Sequence, residues 1–152
     1  GCGSGRDSKA FLEQGFKVDA FDASPELVAK ATALINQPVK HAFFHTYHST
    51  HLYDGIWACA SLLHVPMDEL AAVMAKLVGM LKEDGVCYCS FKLGHEEIER
   101  NGRIFTNLNE TSFPHYITGL PLSIEKQWRT GDLRPGRENE QWLNIILRKR
   151  SK

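Results

Sequence analysis

The sequence predicts an α/β fold with a doubly wound, mostly parallel sheet. Three observations predict it. Strand-like and helix-like segments alternate along most of the chain. The first five residues, Gly1-Cys2-Gly3-Ser4-Gly5, form a glycine-rich turn leading into a helix. A short apolar strand then ends in an acid, Asp22, ~20 residues on, the spacing of a nucleoside-holding unit. Glycines let the backbone approach a ligand closely, and the acid can take ribose hydroxyls.

The elements follow in order. Asp7 to Gln14 reads as a helix with Phe11 and Leu12 inward and Gly15 ending it. Phe16 to Phe21 alternates as a strand and stops at Asp22. Ser24-Pro25-Glu26-Leu27 is a helix start: Ser24 caps, Pro25 takes the first helical position, and Glu26 puts acid in the first turn. Leu27, Ala31, Leu34 and Ile35 keep helical spacing up to Asn36. Val39 to Phe44 is a short third strand, followed by a histidine-dense loop, His45 to His51.

Asp54 to Ala60 is a continuous apolar run, the pattern of a central parallel strand buried on both faces. Asp68 to Leu81 is a long helix with Leu70, Val73, Met74, Leu77 and Leu81 on one face. Asp84-Gly85 turns the chain into the strand Val86 to Phe91. Lys92 to Thr111 is polar and long for a structureless connection, which predicts a functional loop or lid. Leu122 to Trp128 and Trp142 to Leu147, separated by Arg134-Pro135-Gly136-Arg137, read as an antiparallel pair. Trp57 and Trp142 are expected in the core.

Composition narrows the function classes. The chain has 152 residues, one domain by length, and is 43% hydrophobic, enough for a sizeable core. Lys+Arg and Asp+Glu balance at 18 each, so bulk charge gives no case for nucleic acid or membrane as partner. No apolar run approaches the ~20 residues of a membrane helix, and no signal peptide is visible. Cys2, Cys59, Cys87 and Cys89 lack zinc-type spacing, so a reduced cytoplasmic protein is the default.

In a doubly wound sheet, ligands sit beyond the carboxyl ends of the strands. Those ends are Gly1 to Gly5, Asp22 to Ser24, His45-Thr46, Ala60 to His64 and Lys92 to Gly94, which are expected to ring one cleft. A dinucleotide site would want G-x-G-x-x-G, but Arg6 stands at the sixth position. His41, His45, His48 and His51 lack Cys or acidic partners at ligand spacing, so the expectation is a solvated loop and no metal. His64 suits a general base, or equally caps a strand end. Arg6 either forks onto a ligand carboxylate or faces water. Lys92, Arg103 and Arg129 are candidates to flank an acceptor pocket.

At this point the chain resembles a class I S-adenosylmethionine-dependent methyltransferase, most similar to the small tellurite-resistance-like members. The matching residues are Gly1 to Asp7, Asp22-Ala23-Ser24-Pro25, and Tyr53 to Ala58 leading to Leu62-Leu63-His64-Val65-Pro66. Asp84-Gly85-Val86 and the closing hairpin with Trp142-Leu143 match as well. The resemblance implies a Rossmann-like seven-stranded sheet ending in a C-terminal antiparallel hairpin, a single domain over residues 1–152, and S-adenosyl-L-methionine as cofactor.

It also implies roles. Gly1, Gly3 and Gly5, with Cys2 and Arg6 beside them, would form the turn under the cofactor. Asp22 would accept from both ribose hydroxyls, Ala23 and Ser24 would pack near the adenine, and Ala60 and Ser61 would line the methyl-donor pocket. His64 would face the acceptor side as the candidate catalytic group. Two departures stand out. His45, with Thr46 beside it, falls where the family usually has an acid at the end of the third strand. The family's first strand, mid-sheet, is also missing, so further residues are expected upstream. The implied reaction is methyl transfer to a small-molecule acceptor chosen by Lys92 to Thr111. The competing readings are a catalytically silent cofactor-binding or interaction module with the same fold, and a dinucleotide-dependent reductase.

Overall fold

The computed structural model describes residues 1–150 as two compact units, Gly1–His48 and Ser49 onward. The first unit is built on two helices and a short parallel strand pair. Helix α1 spans Arg6–Glu13 and α2 spans Pro25–Ile35. Strand β1, Phe21–Asp22, pairs in parallel with β2, Lys40–His41. Only two residues of each strand enter the ladder, against the six expected from the alternation of Phe16 to Phe21 and of Val39 to Phe44. The inward positions survive: Ala20, Ala31 and Val39 form the core, with Cys2, Val28 and Ile35 packed against it.

Helix α2 starts where its capping residues dictate. The Ser24 hydroxyl accepts from the Leu27 N–H at 3.3 Å, Pro25 opens the helix, and Asn36 closes it in a left-handed conformation. Ser24→Ala is expected to cost about 1 kcal/mol of stability, read from chemical denaturation, because one helical N–H loses its acceptor. Helix α1 begins one residue earlier than expected, with Gly5 at its N-cap at φ 92°. A side chain there would lie 3.1 Å from the Cα and Cβ of Ala31, so the bare glycine lets the two helices touch.

The second unit is a four-stranded mixed sheet with a helix and a hairpin. Its strands are β3 (Tyr53–Ala58), β4 (Leu81–Lys92), β7 (Leu122–Gly131) and β8 (Gln141–Lys149), in the order β3-β4-β8-β7. β3 runs parallel to β4, and the other pairings are antiparallel, so the closing hairpin forms as expected. Helix α3, Leu70–Gly79, connects β3 to β4 and buries Leu70, Val73, Met74, Leu77 and Val78. The inward row of β8, Leu143, Ile145 and Leu147, is fully buried and carries the core with Phe91 and Phe113. Lys149 donates to the carbonyls of Val78 and Leu81 at 3.0 and 2.8 Å, closing the carboxyl end of α3 with a cation.

Three expectations change. Among the described residues the strands make a four-stranded sheet and two separate pairs, not one seven-stranded sheet. β3 is not buried on both faces: among the described residues it pairs with β4 alone, and Trp57 is 49% exposed, stacked on Tyr88 rather than sunk in the core. Lys92 to Thr111, expected as a functional loop or lid, is partly regular. It holds an antiparallel pair, β5 (Glu97–Arg100) and β6 (Arg103–Thr106), joined by Asn101-Gly102. Both turn residues have positive φ, 53° and 76°, as a tight hairpin turn requires.

Candidate functional site

The glycine-rich turn and Asp22 meet in the first unit. Asp22 ends β1 and is 8% exposed. One carboxylate oxygen accepts from the Gly3 N–H and the other from the Ser24 N–H, both at 2.9 Å. The acid therefore ties the turn to the start of α2. The Cys2 N–H donates to the Phe21 carbonyl and the Gly5 N–H to the Cys2 carbonyl, which holds the turn against β1. Gly3 adopts φ +59°, and a side chain added to it would meet nothing within 4 Å. The turn thus presents bare backbone beside a buried carboxylate.

This arrangement fits a nucleoside. A carboxylate offers about four acceptor positions, and backbone donors use two here. Two remain for a vicinal diol. Arg6 is exposed, its Nε 3.8 Å from the Asp7 carboxylate, so its side chain faces water. Ala23 is exposed too, and its carbonyl takes a hydrogen bond from the His41 ring at 2.9 Å.

His45 is not at a strand end. β2 stops at His41, and the chain then turns, with the Thr46 hydroxyl accepting from the Phe43 N–H at 2.9 Å. The strand is shorter than its apolar residues suggested: Phe44 packs edge-on against Phe21 with ring centroids 5.6 Å apart, and beyond the turn Tyr47 stacks on the same ring at 4.3 Å. His45 is exposed and stacks on Phe43. Among the described residues, no three His, Cys, Asp or Glu side chains gather as a metal site.

In the second unit, Ala60 and Ser61 follow β3 in a strained turn. Ala60 has φ +50°, unusual for a residue with a side chain, and its N–H donates to the Ser90 hydroxyl at 2.7 Å. The Ser61 hydroxyl is buried and has no partner. Ser90 was not evident from sequence, since it reads only as an interior strand residue.

His64 sits in a short 3-10 helix, Leu62–His64. Its Nδ1 lies 2.9 Å from the Ile104 carbonyl and its Nε2 2.8 Å from an Arg103 guanidinium nitrogen. A carbonyl only accepts and a guanidinium only donates, so Nδ1 carries the hydrogen and Nε2 the lone pair. The ring is neutral, with that lone pair engaged. Of the two roles expected for it, base or cap, His64 here has both ring nitrogens engaged and ties the 3-10 helix to β6.

Burial, more than the Arg103 and Lys92 charges, pulls the His64 pKa below its ordinary 6.5, although the Ile104 carbonyl pulls the other way. The folded state binds its proton more weakly than the unfolded chain. The stability from neutral His64 is therefore intact above about 6.5 and lost as pH falls through the lower folded value. Denaturation midpoints measured from pH 7 to 5 should fall less steeply in His64→Gln than in the parent.

Of the three basic candidates, Lys92 lines a cavity at the end of β4. Arg103 is on His64, and Arg129 is held by Glu110 through two bonds of 2.7 and 2.9 Å. Among the described residues no disulfide forms, and burial pushes the Cys87 thiol up to about 12 and Cys89 up as well, so both are inert packing groups. No helix among the described residues is long and apolar enough to cross a membrane.

Comparison with known proteins follows the same lines. The family described as "Methyltransferase domain" matches residues 1–87. No curated protein matches the chain in sequence. Among solved structures, the chain is similar to the 1,6-didemethyltoxoflavin-N1-methyltransferase of Burkholderia thailandensis, determined with its substrate and S-adenosylhomocysteine. Identity is 20%, the TM-score is 0.83, and the match covers 99% of this chain and 69% of that one. A S-adenosylmethionine-dependent methyltransferase of Methanosarcina mazei is 16% identical with a TM-score of 0.83, over 100% and 91% of the two chains. The N-methyltransferase NodS of Bradyrhizobium japonicum is 15% identical with a TM-score of 0.76, over 99% and 83%. At these identities the likeness establishes the α/β methyltransferase fold.

Proposed function

The chain belongs to the family of methyltransferase domains, and we propose that it transfers a methyl group from S-adenosylmethionine to a small-molecule acceptor, as a single domain over residues 1–152. The observation that carries this reading is the Asp22 carboxylate, buried and fixed by the Gly3 and Ser24 N–H groups at 2.9 Å. Structures of similar proteins determined with S-adenosylhomocysteine support it.

When bound, the cofactor supplies a methyl group already activated by a positive sulfur. The protein then has to bind, orient and exclude water, and needs no nucleophile of its own. Asp22 is assigned the ribose hydroxyls. Gly1, Cys2, Gly3 and Gly5 provide a turn that lets the ligand approach the backbone. Within the second unit, Ser90 accepts from the Ala60 N–H and so keeps the strained turn before Ser61 in place. His64 is a positioning residue: it holds Arg103 and β6, on which the acceptor side is built. A base is required only where the acceptor must lose a proton.

The test is transfer of a labelled methyl group from S-adenosylmethionine to a panel of small-molecule nucleophiles. Labelled product from any of them supports the reading. Tight cofactor binding with no transfer to any acceptor points instead to a silent binding module.

A further inference from the structure

We propose that the cavity between the end of β4, the β5–β6 hairpin and the start of β8 receives a small aromatic anion, an aromatic acid with its own N–H or O–H; as the acceptor class, this rests on the reading above. The cavity has a volume of about 280 Å³, near the lower end of small-molecule pockets. Its apolar wall is Leu93, Ile98 and Phe105, which suits a flat ring.

The rest of the wall carries excess positive charge. Three cations converge on one carboxylate, Glu140: Lys92 at 2.9 Å, Arg137 at 3.3 Å and Arg100 at 3.9 Å. One carboxylate neutralises one cation, so of the two cations on the wall itself, Lys92 and Arg100, one positive charge is left over, while Arg137 meets Glu140 from outside the wall. Glu140 is held ionised below its usual range, chiefly by the Lys92 hydrogen bond. The Lys92 side chain is 10% exposed and its ammonium also lies 5.2 Å from the Phe105 ring centre, so it is committed. Arg100 is not. Its approach to Glu140 is beyond hydrogen-bonding distance, and its side chain is half exposed. A guanidinium in that position forks onto a carboxylate.

Asn107 also lines the cavity, and its buried Oδ1 accepts no hydrogen bond. A buried acceptor without a donor costs free energy that a ligand N–H or O–H would recover. Ring, anion and donor together describe an aromatic acid carrying an amine or hydroxyl. An amine or hydroxyl is also what a sulfonium methyl donor alkylates.

Calorimetry or ligand-observed NMR on the full-length protein tests this with 4-hydroxybenzoate and 2-naphthoate against their carboxamides. The acids should bind about tenfold more tightly than the amides, the worth of one charge-assisted contact. Arg100→Glu should remove that preference, and Arg137→Glu should weaken it, in variants whose thermal melts match the parent. Equal binding of acid and amide, no binding of any probe at millimolar concentration, or full acid preference in Arg100→Glu would overturn the proposal. Titration of the parent with S-adenosylhomocysteine separates the two readings. Acid preference without cofactor binding leaves the anion pocket standing and sinks the methyl-transfer reading. Cofactor binding without acid preference sinks only the pocket.

Discussion

Asp22→Ala is expected to abolish S-adenosylhomocysteine binding, weakening it by about 100-fold or more in calorimetry. Two ribose hydrogen bonds to an anion are worth about 1.5–3 kcal/mol each, and every 1.4 kcal/mol is tenfold. The variant also orphans the Gly3 and Ser24 N–H groups, which now share the carboxylate at 2.9 Å. Each unsatisfied donor costs about 1–3 kcal/mol where water cannot reach it. Asp22→Asn separates the two effects. It keeps one acceptor oxygen and close to the same shape, so the turn should persist while affinity falls to an intermediate value. Asp22→Asn binding as tightly as the parent would show that the carboxylate is structural only.

Gly5→Ala should destabilise the chain by about 2–5 kcal/mol in denaturant titration. Two costs add. Gly5 has φ +92°, a left-handed conformation that costs a side-chain-bearing residue about 1–2 kcal/mol. The new Cβ would also sit 3.1 Å from the Cα and Cβ of Ala31, and overpacking of this kind costs about 1–3 kcal/mol. Gly15→Ala is the control. Gly15 has φ +93° but nothing within 4 Å, so it should show only the first cost. The difference between the variants measures how closely α1 must approach α2 to hold the turn above Asp22. Equal losses at the two positions would mean that the helices part freely.

Much of this was legible in the sequence because the signals were local. Ser24-Pro25 placed α2 to the residue, since a capping hydroxyl and a fixed proline φ act within one turn. The helical spacing of Leu70, Val73, Met74 and Leu77 placed α3, and the Gly-Asp spacing placed Asp22 under the turn. What was illegible depends on partners distant in sequence. Trp57 reads as core from its apolar neighbours, but burial is decided by what pairs beside β3. His64 reads equally as a base or a cap until Arg103, far along the chain, is seen on its lone pair.

One signal was present and unread. Asn101-Gly102 is a strong short-range hairpin turn, and it would have put Arg100 opposite Arg103 across β5–β6. That register puts both on one face of the hairpin, where Arg103 meets His64 and Arg100 lines the cavity. Glu140 and Asn107 gave no local signal at all, because a lone acid and a lone amide acquire meaning only from the cations and walls around them.

The central claim is that the glycine turn and Asp22 hold the cofactor. The most direct measurement is a two-dimensional amide NMR titration of the protein with S-adenosylhomocysteine. The Gly3 and Ser24 amides now donate to the Asp22 carboxylate, so a ligand that takes the carboxylate's remaining acceptor positions must change their resonances. The account predicts saturable shifts at Gly3, Gly5 and Ser24. Shifts confined to other residues, or none at saturating ligand, would contradict it.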